Sequence, residues 1–424
     1  MRYIIFVLPI LITFFVYSAR SDEFPFNSNN SKKNGFEKDQ IEKGLSEDAG
    51  LSENEKSDTG NDKVDFGGSI RNDVTLYQFD KIVINNMVVD RDDYFQDPFI
   101  LSLYLDNKFS DDFRLFFRGQ VSYDGTADTT NNSINPITNE EEKTTRTQLD
   151  ELKVQFSILK KLFVSLGVQK IKWGSGHFWN PSDFLNQEVK SLVEKEDRRA
   201  GLHLAKLHLP INESNLYYIA QFDEKNDVQK TGHAIRYELP LPSSLTSGEL
   251  SFSYYGKKNQ EGRGAGDLSI ALGPFDFYFE GSMQKTQENT SFVSGVSYEW
   301  QYTDKNFLVL NLESFSNSGG ATSTDEYPLM ISSNRFIPFY VAQRYLAASI
   351  YLPQPWSLTH TDLSFILVHN QIDQGNYMRF GYIWSGYKAL TASVFMGTRA
   401  GSAESEFRLG GLSNDYLLRV EYKF

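Results

Sequence analysis

From Val74 onward apolar and polar side chains alternate in run after run, and no other feature of the chain limits its fold as much. Phe99, Leu101, Leu103 and Leu105 alternate with Ser102, Tyr104 and Asp106. Leu152, Val154, Phe156 and Ile158 alternate with Glu151, Lys153, Gln155 and Ser157. Phe275, Phe277 and Phe279 alternate with Asp276, Tyr278 and Glu280, and Val296, Tyr298 and Trp300 with Ser297, Glu299 and Gln301. A period of two places one set on each face of a β-strand. The runs are about ten residues long, the length a tilted strand needs to cross a hydrocarbon layer. One face is apolar and the other carries charge, which suits lipid outside and water inside. A soluble sandwich would bury the apolar face in a core and use shorter strands. The expected fold is therefore all-β, a transmembrane antiparallel β-barrel.

The pattern predicts strands at 76–88, 98–107, 112–123, 145–157, 161–171, 201–210, 214–222, 231–240, 249–257, 266–273, 275–283, 290–302, 304–315, 340–351, 359–370, 376–385, 388–398 and 414–424. That makes about eighteen, with sixteen as the alternative count. The long gaps at 124–144, 172–200, 316–339 and 399–413 all fall in odd positions. Tight turns at Leu159-Lys160, Gly273-Pro274 and Gly386-Tyr387 fall in even ones. Long loops on one side and short turns on the other are the asymmetry of outer-membrane barrels. The last run places Tyr416, Leu418, Val420, Tyr422 and Phe424 on one face. A closing strand with an aromatic end is the form expected to engage the barrel assembly machinery, with Phe424 in the interfacial girdle.

The remaining chain supports this setting. Tyr 23 and Phe 33 are many for a chain of 424 residues with net charge -13. The acidity argues against nucleic acid as a partner. There is no cysteine, which excludes a disulfide framework and thiolate metal sites. Residues 1–21 predict a cleaved signal peptide, with Arg2 before the apolar run Tyr3 to Tyr17. Residues 22–70 form a polar, acidic segment expected to be disordered in the periplasm, leaving 71–424 for the barrel.

No catalytic constellation emerges. His203 and His208 share one strand, where a phase slip near Ala205-Lys206 suggests a bulge turning both inward. Their spacing is not that of metal ligands. His233 and His369 are placed on the outer face, and no motif sets a serine beside either. Gly262-Arg-Gly-Ala-Gly-Asp267 lies in a barrel loop with no following helix, so it is not read as a phosphate loop. Catalytic, cofactor-binding and metal residues are thus expected to be none, and no cofactor is implied. The polar faces nominate lumen-lining residues instead: Arg114, Arg118, Lys153, Arg236, Glu238, Glu299, Arg419 and Glu421. Such charges either select ions and solutes by sign and size or solvate the lumen and pair with one another.

The most specific stretch is Gln169-Lys-Ile-Lys-Trp173-Gly-Ser-Gly-His-Phe-Trp-Asn-Pro-Ser-Asp183-Phe-Leu-Asn186, followed by Glu196-Asp-Arg-Arg199. It falls in an odd gap. Gly174 and Gly176 permit a sharp reversal, Asn180-Pro181 favours a turn, and Asp183 is a suitable N-cap. Leu185, Val189, Leu192 and Val193 then follow helical spacing. With Trp173 and Trp179 these residues form the expected loop scaffold, and a helix after it would present Glu196, Asp197, Arg198 and Arg199 to the lumen as a constriction. This stretch, over Leu162 to Pro210, resembles a loop of porin-like and alginate-export-like outer-membrane β-barrel proteins of Gram-negative bacteria. The resemblance implies passive or facilitated diffusion of small hydrophilic solutes, and it transfers no catalytic residue. Outer-membrane lipid and a small hydrophilic solute are the expected partners, with a homo-oligomer open. A surface adhesin or binding barrel and an outer-membrane hydrolase are the alternative readings.

Overall fold

A computed structural model describes residues 64–84, 87–127, 143–186, 199–222, 230–242, 247–284, 289–303, 306–333, 337–387 and 389–424. The expected signal peptide and nearly all of the expected polar segment lie outside the described residues. The wall strands are β1 (Val64–Phe79), β2 (Pro98–Ser110), β3 (Phe113–Asp124), β4 (Thr145–Ile158), β5 (Leu162–Gln169) and β6 (Leu202–Ile211). They continue as β7 (Ser214–Gln221), β8 (Gly232–Pro240), β9 (Ser247–Lys257), β10 (Arg263–Leu272), β11 (Phe275–Gln284) and β12 (Asn289–Gln301). The circuit ends with β13 (Phe307–Asn317), β14 (Arg344–Pro353), β15 (Thr361–Asn370), β16 (Asn376–Tyr387), β17 (Leu390–Ala400) and β18 (Leu412–Lys423). The sheet counts nineteen strands because the short Tyr94–Gln96 segment is separate; it continues β2 across Asp97, leaving eighteen staves. Every pairing between wall strands is antiparallel, and β18 pairs with β1, with Lys423 opposite Ser69 and Tyr416 opposite Leu76. The barrel is closed, so it has no long free edge.

The faces separate as the alternation predicts. Phe279, Leu312, Phe380, Leu418 and Tyr422 on the outer face are exposed, while Glu280, Glu313, Arg379 and Leu417 between or beside them are buried. Leu159 and Lys160 both have positive φ, near 54° and 55°, as a two-residue hairpin turn requires. The tight turns share one end of the barrel, and the connections 170–201, 318–343 and 401–411 share the other.

The first strand is a correction. It runs Val64–Phe79, not 76–88, so residues 64–70 belong to the wall and not to the polar segment. Val64, Phe66 and Ile70 form its exposed apolar face, but Gly67, Gly68 and flanking acidic residues break the pattern in sequence. The β-branched run that suggested a strand instead forms a small hairpin, Ile82–Ile84 with Met87–Val89, within the first long connection. A second correction concerns the histidines. β6 keeps one register against both neighbours, without a bulge. His203 therefore faces outward and His208 inward, where it stacks on Tyr217 at 4.5 Å.

Candidate functional site

After Gln169 the chain leaves β5 and turns along the inner wall. Gly174 has φ +93°, and a Cβ there would sit 2.5 Å from the Glu280 carboxylate. A Cβ on Gly176 would lie 1.9 Å from the Trp179 carbonyl oxygen. Both positions admit only glycine without a backbone shift. The Asp183 N–H donates to the Asn180 carbonyl at 3.1 Å, closing a turn with Pro181 at its second position. The Asn180 amide donates to the Gly176 carbonyl at 2.8 Å.

Two inward carboxylates hold this segment. Glu280 on β11 accepts the N–H groups of Ser175 at 3.1 Å, Gly176 at 3.2 Å and Ser182 at 2.6 Å. Glu313 on β13 accepts those of His177 at 2.8 Å, Phe178 at 3.2 Å and Trp179 at 2.8 Å. The Tyr278 hydroxyl donates to Glu313 as well, at 2.9 Å. Both carboxylates are buried, at 2% and 3% exposure, and neither forms an ion pair with a described cation. A buried charge so placed is stable only if its lone pairs are filled by strong donors, and the loop amides fill them.

The two tryptophans anchor the segment at separate points. Trp173 packs with Leu185, Leu204, Ile219, Ala234 and Tyr255, and lies 5.7 Å from the Arg236 guanidinium. Trp179 is fully buried, stacks on Phe315 at 5.2 Å and donates its indole N–H to the Phe339 carbonyl at 2.9 Å. The loop thus follows the inner wall from β6 to β14. Asp183 accepts the Asn186 amide at 2.7 Å and pairs with Arg199 at 3.0 Å, and the helix it was expected to cap lies outside the described residues. Arg199 is therefore drawn back onto the scaffold, with a side chain only 10% exposed, and is not presented openly to the lumen. Glu196, Asp197, Arg198 and the expected helix lie outside the described residues. Among the described residues 170–186, Lys172 and His177 are the exposed ones.

Most of the nominated wall cations pair with inward carboxylates of the wall. Arg114 binds Asp106 through two nitrogens, Lys153 binds Glu151 at 3.0 Å, and Arg419 binds Asp73 at 2.8 and 3.0 Å. Arg236 bridges Asp267 at 2.9 Å and Glu238 at 2.7 Å. Arg118 and Lys153 both approach the ring of the inward, buried Phe116, at 5.5 and 5.1 Å. Glu421 stands opposite Arg71 in register, and Glu299 is exposed near the short-turn end of β12. Glu313 was missed in sequence. Its only signal is a carboxylate in the inward phase between Leu312 and Ser314; nothing local says that its partners lie about 135 residues away.

No family model matches this chain, and comparison with curated proteins finds no match either. Solved structures do share its fold. OccK9 (OpdG) of Pseudomonas aeruginosa is similar at TM-score 0.57 and 9% identity, over 85% of this chain and 98% of that one. OccAB1 of Acinetobacter baumannii is similar at TM-score 0.56 and 10% identity, over 88% and 99% of the two chains. A BenF-like porin from Pseudomonas fluorescens Pf-5 is similar at TM-score 0.54 and 11% identity, over 86% and 99%. At such identities the likeness is one of fold. The resemblance to porin-like barrels stands at that level, with the chain forming a closed barrel of eighteen antiparallel strands.

Proposed function

We propose that this barrel is an outer-membrane channel for passive or facilitated diffusion of small hydrophilic solutes, narrowed by the inward loop after β5. The observation that carries the reading is the docking of residues 170–186 on the inner wall through Glu280 and Glu313. A loop that merely covered the barrel from outside would have no reason to fill carboxylates in the inward phase of two strands. The outer face supports the membrane setting: a continuous apolar surface of this size is costly in water and favoured in lipid. The inner face, laced with ion pairs, supports passage of water-soluble solutes. The fold shared with a BenF-like porin is consistent with transport across a membrane. In this reading the barrel works as a channel and not as an enzyme, placed in the outer membrane after removal of residues 1–21.

The deciding measurement is the current through purified protein in planar lipid bilayers. Discrete conductance steps are the expected result, and absence of current at any voltage or salt concentration ends the channel reading. Replacing Glu196, Asp197 and Arg198 together by serine is expected to change ion selectivity. Unchanged selectivity would remove those residues from the constriction while leaving the scaffold in place.

A further inference from the structure

Phe339 lies in the 318–343 connection with φ +67°, a left-handed conformation that an aromatic residue keeps only when its surroundings hold it. Its carbonyl accepts the Trp179 indole N–H, and its own N–H donates to the Glu406 carboxylate. One residue thus joins the inward loop to the 401–411 connection. Glu406 is buried and accepts the Tyr345 hydroxyl at 2.8 Å and the Asn370 amide at 2.7 Å. Its backbone N–H donates to Asp373 at 2.7 Å. Asp373 also receives Asn370 at 3.1 Å and Tyr327, from helix α1 (Tyr327–Ser332), at 2.8 Å.

The groups facing Glu406 are therefore Tyr345 from β14, Asn370 from β15, Asp373 from the 371–375 turn, Tyr327 from α1 behind Asp373, and the Phe339 amide. On its own segment Arg408 turns away to Asp80, at 2.7 Å. Among the described residues no cation pairs with Glu406, and a second carboxylate stands beside it. A carboxyl in that position favours its proton.

We propose that Glu406 is a positioning residue for the inward loop: gain or loss of its proton tightens or loosens the outer-loop network, and Phe339 relays the change to Trp179. Its effect on the pore rests on the channel reading above. The relay to Trp179 does not. Burial pushes the Glu406 carboxyl up to about 8, and Asp373 adds to the rise, against the hydrogen bonds from Tyr345, Phe339 and Asn370. The closed network thus holds a proton that an opened, water-exposed Glu406 gives up in the ordinary carboxylate range. The closed form is fully favoured below that range, and its advantage is lost as pH rises through about 8. The ratio of opened to closed form rises about tenfold per pH unit within this window and levels off above it.

The test is fluorine NMR of the full-length barrel in lipid or detergent, labelled with fluorotryptophan, with the Trp179 signal assigned by Trp179→Phe. From about pH 5 to about pH 9 the wild type should gain a second Trp179 signal with the tenfold-per-unit dependence. Glu406→Gln, neutral at every pH, should abolish that dependence. Asp373→Asn, which removes the adjacent charge, should move the upper end of the window downward, and serves alone if Glu406→Gln fails to fold. A Trp179 signal that ignores pH in the wild type, or that titrates alike in wild type and both variants, overturns the proposal. A Trp179 response without any bilayer current supports the relay and overturns only the channel reading.

Discussion

On the arc formed by β18, β1, β2, β3 and β4, inward carboxylates face inward cations of the same or the adjacent strand. Asp73 takes Arg419, Asp106 takes Arg114, and Glu151 takes Lys153. On the arc of β11 to β13, Glu280 and Glu313 take backbone N–H groups of the inward loop instead. The same residue type in the same phase of the alternation serves two ends. A carboxylate with a wall cation is filled chiefly within the sheet; of the three, Glu151 alone also takes a loop amide, the Lys170 N–H at 3.4 Å. A carboxylate without one must be filled from elsewhere, because an unmatched buried charge costs several kcal/mol. In this barrel the filler is a loop: among the described residues no cation pairs with Glu280 or Glu313, and the loop amides take that place.

The difference can be broken from the loop side first. Glu313→Ala removes the acceptor of three loop amides and of Tyr278, and should cost about 3–5 kcal/mol of loop attachment. Larger single-channel conductance and new protease cleavage within 170–186 are expected. If both stay at wild-type values, the carboxylates do not hold the loop. A smaller effect, about 1–3 kcal/mol, is expected from Arg199→Ser, which weakens the hold on Asp183 at the far end of the scaffold. Hydrogen exchange of residues 180–186 should rise with conductance little changed. A large conductance change would place Arg199 in the constriction after all.

The smallest effect should come from the opposite arc. Asp106→Leu combined with Arg114→Met replaces a buried pair by apolar side chains of similar volume, a change that is often neutral. Unfolding by urea from lipid vesicles should shift by no more than about 1 kcal/mol, with the loop still attached. A loss of loop attachment in this variant would show that the two arcs are not independent.

Much of the barrel was legible because its signal is local. Period two, strand length and the sorting of long and short connections all survive in a single sequence. Leu159-Lys160 and Gly273-Pro274 mark turns that the structure contains. The misplacement of the first strand has the same origin: Gly67 and Gly68 erase the alternation where the wall begins, and Ile82, Val83 and Ile84 imitate it where the wall has ended. Of the loop, Gly174, Gly176, Asn180 and Pro181 were readable from backbone chemistry, and all four form the reversal and turn they suggest. The partner of Arg199 was not readable, since no strand or helix spacing in the sequence brings Asp183 and Arg199 together.

By itself, then, the sequence determined the faces of most strands, a count of about eighteen staves with sixteen left open, and the sorting of the long connections to one side, because a side chain's face depends only on its parity along an extended backbone. Tertiary structure alone decided which inward charges satisfy one another and which recruit the loop. The contacts that recruit the loop join residues about a hundred or more apart in the chain, such as Gly176 with Glu280 and Trp179 with Glu313. They exist only once the sheet has closed, when the curvature of the wall brings β5's loop against β11 and β13. The physical reason is that alternation is a property of one strand, whereas the satisfaction of a buried charge is a property of everything that can reach it.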